Sequence, residues 1–346
     1  MRLIDNGIIQ IVRRFGAVGG MESYAYNLSE ELARRGHKVS VLCENVETDS
    51  IAANVSVIPL GPSHSKHRWR AMLDFRTAVD QFFESYSSET RRLVHSHERT
   101  AWHQVTTFHG PPMKNPSKWY QFRSRRIKVW DQLEEAEVLG RRVASVVPVS
   151  SRIAAMLAQK YPRLEEKLVT IAPGTNRGDS QLFQPCQFPL HILFAGKEWK
   201  RKGLSKAVDI VAHLRREGFD VTLDIYGVAR DVLPKKWGRS DFLSIKGWVA
   251  EVPYGSYDLL LHPAKEEPFG MVIAESLANG CRALVSTNCG ALDLQHQGCL
   301  ALNIEEADEV WANELLKLCA CVPAQQPPRT WANVSSDYEM LVYSCL

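Results

Sequence analysis

Twice along this chain a short apolar run ends in a glycine-bearing turn, enters a segment of helical spacing and returns to a second apolar run. The first instance opens with IIQIV (8–12) and turns through RRFGAVGG, with glycines at 16, 19 and 20. MESYAYNLSEELARRGH then sets Tyr24, Leu28 and Leu32 at helical spacing, Gly36 ends the helix, and KVSVLCE returns as a strand. The second instance is LHILFAG, then KGLSKAVDIVAHLRREG ending at Gly218, then DVTLDIYG. Strands separated by helices pair in parallel, because parallel neighbours need a long crossover connection. The fold class read from this order is α/β, with two Rossmann-like, doubly wound parallel-sheet domains. Two such units imply a cleft between them, and ligands bind such sheets at the carboxyl ends of the strands.

VSVIPL, RLVHSHE, QVTTFHG, SVVPVSS and LVTIAPGTN (168–176) supply further strands of the first half. A Gly/Asn/Ser/Pro-rich stretch follows, up to Pro189, and the boundary is placed there. FLSIKGW, YDLLLHPA and CRALVST read as strands of the second half, and EADEVWANELLKLCA and TWANVSSDYEMLVYSCL as helices. The domains expected are 1–176 and 177–327, with 328–346 a final helix. A length of 346 residues fits two cores better than one. The net charge of +3 excludes a strongly basic nucleic-acid binder. No apolar run reaches the roughly 18–20 residues of a membrane helix, and no signal peptide is evident. Eight scattered cysteines, with one C-x-C at Cys319 and Cys321 lacking a second pair, read as reduced thiols of a cytosolic protein.

Several clusters could carry chemistry. In FGAVGGMES, the amides at Gly19 and Gly20 could approach an anion at a helix N-terminus; a plain tight turn reads equally well. AGKEWKRKG places Lys197, Lys200, Arg201 and Lys202 directly after a strand, where Arg and Lys together suit a diphosphate and where a solvated charge run would look the same. In EEPFGMVIAESLANG (266–280), a helix starting near Phe269 and Gly270 would leave amides free at Phe269, Gly270 and Met271. Glu267 and Glu275 would then flank an extended ligand rich in hydroxyls. The alternative has Glu267 capping the helix and Glu275 pairing with a lysine. His95, His97, His103 and His109 sit at strand ends. H-x-H beside Glu98 is compatible with a metal, but plain surface histidines fit the spacing better. His109 differs, since the following Gly-Pro-Pro turns the chain and points it toward a cleft. From Lys114 to Trp130, six cations interleave with Trp119, Tyr120, Phe122 and Trp130. That pattern suits an anionic membrane surface, nucleic acid or the basic outer face of a helical hairpin.

Taken in order, these motifs resemble the retaining glycosyltransferases of family 4, which have the two-domain GT-B fold. EPFGMVIAE has that family's E-x7-E pattern, and GGMESYAYNLSEELARRGHKVSVL is similar to its N-terminal glycine loop and first helix. TFHG, VVPVSS, IAPGTN, GKEWKRKG, YDLLLHPA and CGALD follow in the family's order. KRKG and LLLHPA look closest to the glucosyltransferases of lipopolysaccharide core assembly. The resemblance implies a C-terminal helix that crosses back to the N-terminal domain. It implies transfer, with retention, of a hexose from a nucleotide-diphosphate sugar, UDP-glucose foremost, to a saccharide or glycolipid acceptor. Glu267 would hold the donor sugar's hydroxyls, Glu275 the ribose, and the amides of Phe269, Gly270 and Met271 sugar and phosphate. Arg201, Lys202 and the amides near Gly19 and Gly20 would neutralise the leaving diphosphate. His109 would contact the sugar near the reacting carbon, and Val249 falls at the family's base contact. The chain departs from the family at Lys197, where Arg is frequent, and at Asp293, where Glu is usual. No D-x-D occurs, which fits an enzyme with no metal and no cofactor beyond its nucleotide-sugar co-substrate. The expected partners are that donor, the acceptor and, through Lys114 to Trp130, an anionic membrane, with no nucleic acid. The expected place is the cytoplasm, at the inner face of the cell membrane. The alternatives are a nucleotide-sugar 2-epimerase of GT-B-like fold and a non-catalytic sugar-binding scaffold.

Overall fold

The computed structural model of the chain describes residues 6–85, 92–113, 124–176, 182–235, 237 and 240–346. They fall into two units, Met1–Pro173 with Trp331–Leu346, and Gly174–Thr330. The first unit runs β1 (Ile8–Ile11), β2 (Arg14–Phe15), α1 (Gly20–Arg34), β3 (Val39–Cys43), β4 (Asn45–Val46), β5 (Val55–Pro59) and α2 (Arg68–Ser85). It continues through β6 (Leu93–Ser96), β7 (Val105–Phe108), α3 (Arg125–Leu139), β8 (Ser145–Pro148) and α4 (Ser151–Lys160). Six strands form one sheet in the order β5-β3-β1-β6-β7-β8, and every pairing is parallel. β2 and β4 pair apart as a short ribbon. All five residues of β3 are buried, so its alternation marks no wet face; helices on both sides of a parallel sheet require this. On one face, Phe75 and Val79 of α2 pack with Ile9, Ile11, Leu42 and Val94.

The second unit runs β9 (Leu190–Ala195), α5 (Leu204–Arg216), β10 (Val221–Tyr226), β11 (Leu243–Gly247), β12 (Leu259–His262), α6 (Met271–Ala278), β13 (Arg282–Ser286), β14 (Cys299–Leu302) and α7 (Asp308–Ala320). Its sheet has the order β11-β10-β9-β12-β13-β14, again wholly parallel. The core gathers Leu204, Val208 and Val211 of α5, Trp311 and Leu315 of α7, and the apolar residues of β9, β10 and β12. In both sheets the strand order reverses once, between β1 and β6 and between β9 and β12. At such a reversal the connections leave toward opposite faces and a crevice opens at the strands' carboxyl ends.

The chain then returns to the first unit. α8 (Trp331–Asp337) packs on α1. The segment rewinds as a π turn over Tyr338–Val342 and a 3-10 turn over Tyr343–Cys345, where the sequence predicts one regular helix. Tyr338 and Tyr343 are fully buried. The Tyr338 hydroxyl lies 3.0 Å from that of Tyr24, and the Tyr343 hydroxyl 2.7 Å from His95 Nδ1. The rewinding lets both tyrosines reach inward from one short segment.

Two further expectations are corrected. LVTIAPGTN is not a strand. Val169 and Ile171 donate to Val146 and Pro148 of β8, but only isolated bridges form, and Pro173 has no N–H to extend the ladder. β14 was not predicted, because its half-buried residues at the sheet edge lack a long apolar run. Among the described residues, no helix is long and apolar enough to cross a membrane. The seven described cysteines are free thiols.

Candidate active site

In the second unit, the loops that leave β9 and β12 meet at the strand-order reversal. Gly203, in the left-handed region at φ +80°, caps α5. A Cβ there would lie 1.8 Å from the Pro263 carbonyl oxygen, so only glycine lets the two loops close. The amides of Arg201 and Lys202 both donate to Glu198 O at 3.0 Å, and Lys265 N donates to Arg201 O at 2.8 Å. This fixes where the two cations emerge. The Lys202 side chain crosses Gly196, where a Cβ would fall 2.2 Å from its Cδ.

Lys202 thereby reaches Glu267, with Nζ 3.0 Å from Oε2. Arg201 Nη1 is 3.7 Å from the same oxygen, and it also donates to the Glu266 carbonyl. His262 Nε2 stands 3.2 Å from Glu267 Oε2. Since an ionised carboxylate only accepts, the imidazole donates. Glu267 is itself tied into the sheet end by Glu267 N to Asn288 O and Gly290 N to Glu267 O. Burial favours its neutral form, but the hydrogen bond from His262 and the charges of Lys202 and Arg201 outweigh this and hold its pKa at about 2. Burial keeps His262 below its ordinary value, hence neutral, despite the carboxylate. The result is a fixed anion at neutral pH, with an arginine and a lysine above it.

α6 begins at Met271, one turn position later than the sequence predicts. Gly270 is its N-cap at φ +99°, with no side-chain cap. Phe269 is buried and its carbonyl accepts from Ala291 N at 2.8 Å, so it belongs to the entrance strand-like segment and not to the helix. The first amides of α6 have no intrahelical acceptor, apart from Ile273 N, which bonds back to Gly270 O. Glu267 does not cap this helix. Glu275 does not pair with a lysine; Tyr254 Oη donates to its Oε2 at 2.8 Å. Burial raises the Glu275 pKa, against that hydrogen bond and the nearby charge of Lys202. Lys202 thus acts electrostatically on both glutamates.

Of the remaining cations, Lys197 is exposed and Lys200 lies over the Trp199 ring at 5.3 Å. Neither joins Glu267. Asp293 sits in the short helical turn Gly290–Leu294. Val249 is half-buried in the loop after β11, beside Trp248, whose side chain is 69% exposed. His262, Tyr254 and Glu198 are site residues that sequence reading missed. The one available signal was a polar histidine closing the apolar run LLLH five residues before Glu267.

In the first unit, Gly19 is the N-cap of α1 and Gly20 its exposed first residue. The Glu22 carboxylate folds over Gly19, where a Cβ would meet its Oε2 at 2.5 Å, and it pairs with Arg14 at 2.6 Å. A protein anion therefore already lies at this helix end. His109 follows β7 and is half-buried. Its Nε2 is 3.0 Å from His97 Nδ1, and His97 Nε2 is 2.8 Å from Gln10 Oε1. Tyr24 packs edge-on to His109 at 5.0 Å and to Trp331 at 5.1 Å. The expectation of plain surface histidines is wrong for His95, His97 and His103, which are 0–2% exposed. His95 bonds to Thr107 and to Tyr343 of the returning segment, His97 to Gln10 of β1 and His103 to the Glu137 carbonyl of α3, because the strand ends that carry them are covered. Burial pushes His109 down to about 3 and His103 to about 4, so these rings are neutral. Among the described residues no group of His, Cys, Asp and Glu could hold a metal ion. Of the stretch from Lys114 to Trp130, residues 114–123 lie outside the described residues; Trp130 is on α3.

Two doubly wound parallel sheets in one chain, a final segment returned to the first, and a cation pair set over a carboxylate at the second reversal define a GT-B glycosyltransferase. Residues 18–178 match the family model Glycosyltransferase Family 4, and residues 189–320 match Glycosyl transferases group 1. The chain is a glycosyltransferase whose first part matches Family 4 and whose second part matches group 1. It is 30% identical over 158 residues to the lipopolysaccharide glucosyltransferase WaaG of Escherichia coli K12, an alignment spanning 42% of this chain and 41% of that protein. A crystal structure of WaaG, a glycosyltransferase involved in lipopolysaccharide biosynthesis, superposes with a TM-score of 0.74 at 18% identity, covering 96% of this chain and 94% of that one. Sucrose-phosphate synthase from Thermosynechococcus elongatus gives 0.69 at 17% identity, with coverages of 98% and 94%. Anabaena HepE in complex with UDP and glucose gives 0.66 at 16%, with coverages of 97% and 99%. At these identities the structural likenesses bear on fold alone.

Proposed function

We propose that this chain transfers a hexosyl group from a nucleotide-diphosphate sugar, UDP-glucose foremost, to a saccharide acceptor such as a lipid-linked core glycan. Transfer proceeds with retention and without a metal ion. The observation that carries this reading is the ionised Glu267 under Lys202 and Arg201, next to the unbonded amides that open α6. A carboxylate held ionised is a strong acceptor for sugar hydroxyls. Two adjacent cations and a helix N-terminus are suited to the charge that develops on a departing diphosphate. In the proposed mechanism the acceptor hydroxyl attacks from the face the diphosphate leaves, and a donor phosphate oxygen takes its proton. Glu267 stays on the sugar hydroxyls, Glu275 on the ribose, Val249 at the base, and His109 near the reacting carbon. The match to a lipopolysaccharide glucosyltransferase favours this donor and acceptor class.

Calorimetric titration with UDP and GDP, each with and without EDTA, tests the donor site. UDP binding that is indifferent to EDTA and at least tenfold weaker in Lys202→Ala is the expected result, since a charge-assisted hydrogen bond contributes about 1.5–3 kcal/mol. If neither nucleotide binds, the reading fails. The enzyme is further proposed to work at the cytoplasmic face of an anionic membrane, docked through Lys114 to Trp130. Co-sedimentation with phosphatidylglycerol vesicles should then occur at low salt and fade at high salt; its absence at low salt removes the membrane from the scheme.

A further inference from the structure

A groove of about 580 Å³ opens on the first unit, apart from the residues placed at the donor site; Arg126 and Trp130, at the end of the stretch proposed to meet a membrane, help to line it. Lys66 comes from the connection after β5, Arg68 from the start of α2, Arg99 from the loop after β6, and Arg126 from the first turn of α3. Trp69 and Trp130 form its aromatic walls. All these loops follow carboxyl ends of the parallel strands, the side on which such sheets bind ligands. The volume is that of a small-molecule site.

Most of the positive charge of this groove has no acidic partner among the described residues. Lys66, Arg68 and Arg126 have no carboxylate partner among the described residues. Arg99 is the exception, paired with Glu134 at 3.5 Å and Glu137 at 3.8 Å and lying over the Trp130 ring at 5.2 Å. α2 and α3 both begin here, with cations and no acid in their first turns. Cations at a helix N-terminus oppose the helix dipole, so they reduce the stability of both helices. Lys66, Arg68 and Arg126, cations at helix starts facing a concave space, serve a ligand better than they serve the fold.

We propose that this groove binds a phosphate-bearing saccharide, and that the acceptor of the reaction is phosphorylated on the part that enters it. The inference rests on the transferase reading, which supplies the need for a saccharide acceptor. Arg68, Arg126 and Lys66 hold the phosphate, for which a guanidinium fork is the best-matched partner. Trp69 and Trp130 offer apolar faces to the sugar ring. A concave site with two aromatic walls fits a discrete anionic sugar.

The test is calorimetric titration of the full chain with glucose 6-phosphate, glucose and inorganic phosphate, beside co-sedimentation with phosphatidylglycerol vesicles. Glucose 6-phosphate is expected to bind, glucose not to bind, and inorganic phosphate to bind at least tenfold more weakly. The double variant Lys66→Ala with Arg68→Ala should weaken glucose 6-phosphate at least fivefold. Both positions are exposed, so its melting temperature and its affinity for UDP should stay those of the wild type. Equal binding of inorganic phosphate and glucose 6-phosphate would reduce the groove to a general anion site and overturn the proposal. So would glucose 6-phosphate binding that ignores the double variant, or vesicle binding that the double variant abolishes while glucose 6-phosphate never binds. UDP affinity reports separately on the transferase reading. Loss of UDP binding with intact, variant-sensitive glucose 6-phosphate binding would sink that reading and leave the groove's ligand standing.

Discussion

Glu267→Gln is expected to lower kcat/KM by about 10²–10³, because two charge-assisted hydrogen bonds to sugar hydroxyls contribute roughly 1.5–3 kcal/mol each and become neutral ones. The substitution keeps shape, and the amide oxygen can still accept from His262, which stands 3.2 Å from the native carboxylate. What it removes is charge. Lys202 and Arg201, 3.0 and 3.7 Å from that oxygen, would no longer be offset by it, so their field toward a diphosphate strengthens. UDP affinity should therefore hold or rise while turnover collapses. A purely structural role would do the opposite, lowering UDP affinity and melting temperature together. Activity within tenfold of the wild type, measured with the natural donor, would remove Glu267 from the sugar.

Gly203→Ala should be the most damaging single methyl in the second unit. At φ +80° an alanine is strained, and its Cβ would lie 1.8 Å from Pro263 O, a backbone atom that cannot rotate away. Left-handed strain and overpacking each cost about 1–3 kcal/mol. For a unit of this size that is a fall of roughly 5–15 °C in its melting temperature. The loop it displaces carries Arg201 and Lys202, so UDP binding should weaken too. Gly218→Ala, at φ +87° with no heavy atom within 4 Å of its Cβ, is the matched control. It shares the strain without the collision. If calorimetric melts of the two variants coincide, the closure of the loops after β9 and β12 is not what requires glycine at 203.

Much of this architecture is legible in the chain itself. Periodicity and punctuation are local, so strands such as LHILFA and helices such as the one ended by Gly218 announce themselves. The pairing of the KRKG cations with Glu267 was half legible. Both motifs follow strands, but which two of the four cations reach the carboxylate depends on Gly196 letting Lys202 pass and on Glu198 holding two amides. His262 and Tyr254 were missed because a histidine ending a buried strand and a tyrosine in a short turn look like packing until Glu267 and Glu275 are set against them. His95, His97 and His103 read as surface because strand-end residues usually are. Here Tyr338 and Tyr343, more than 200 positions later, cover His95, while Tyr24 of α1 packs on His97 and α3 closes over His103, and no local pattern reports that.

Tyr24 and Tyr338 touch through their hydroxyls although 314 positions separate them. The whole of Gly174–Thr330 is therefore spliced into a partner that opens before it and closes after it. The two crossings are clasped at their base by Thr175 N on Arg329 O. During synthesis, which proceeds from the N-terminus, the spliced unit emerges entire while its host still lacks Trp331–Leu346. Until that segment leaves the ribosome, His95 lacks the Tyr343 hydroxyl and Tyr24 lacks that of Tyr338. The half begun first is the half finished last.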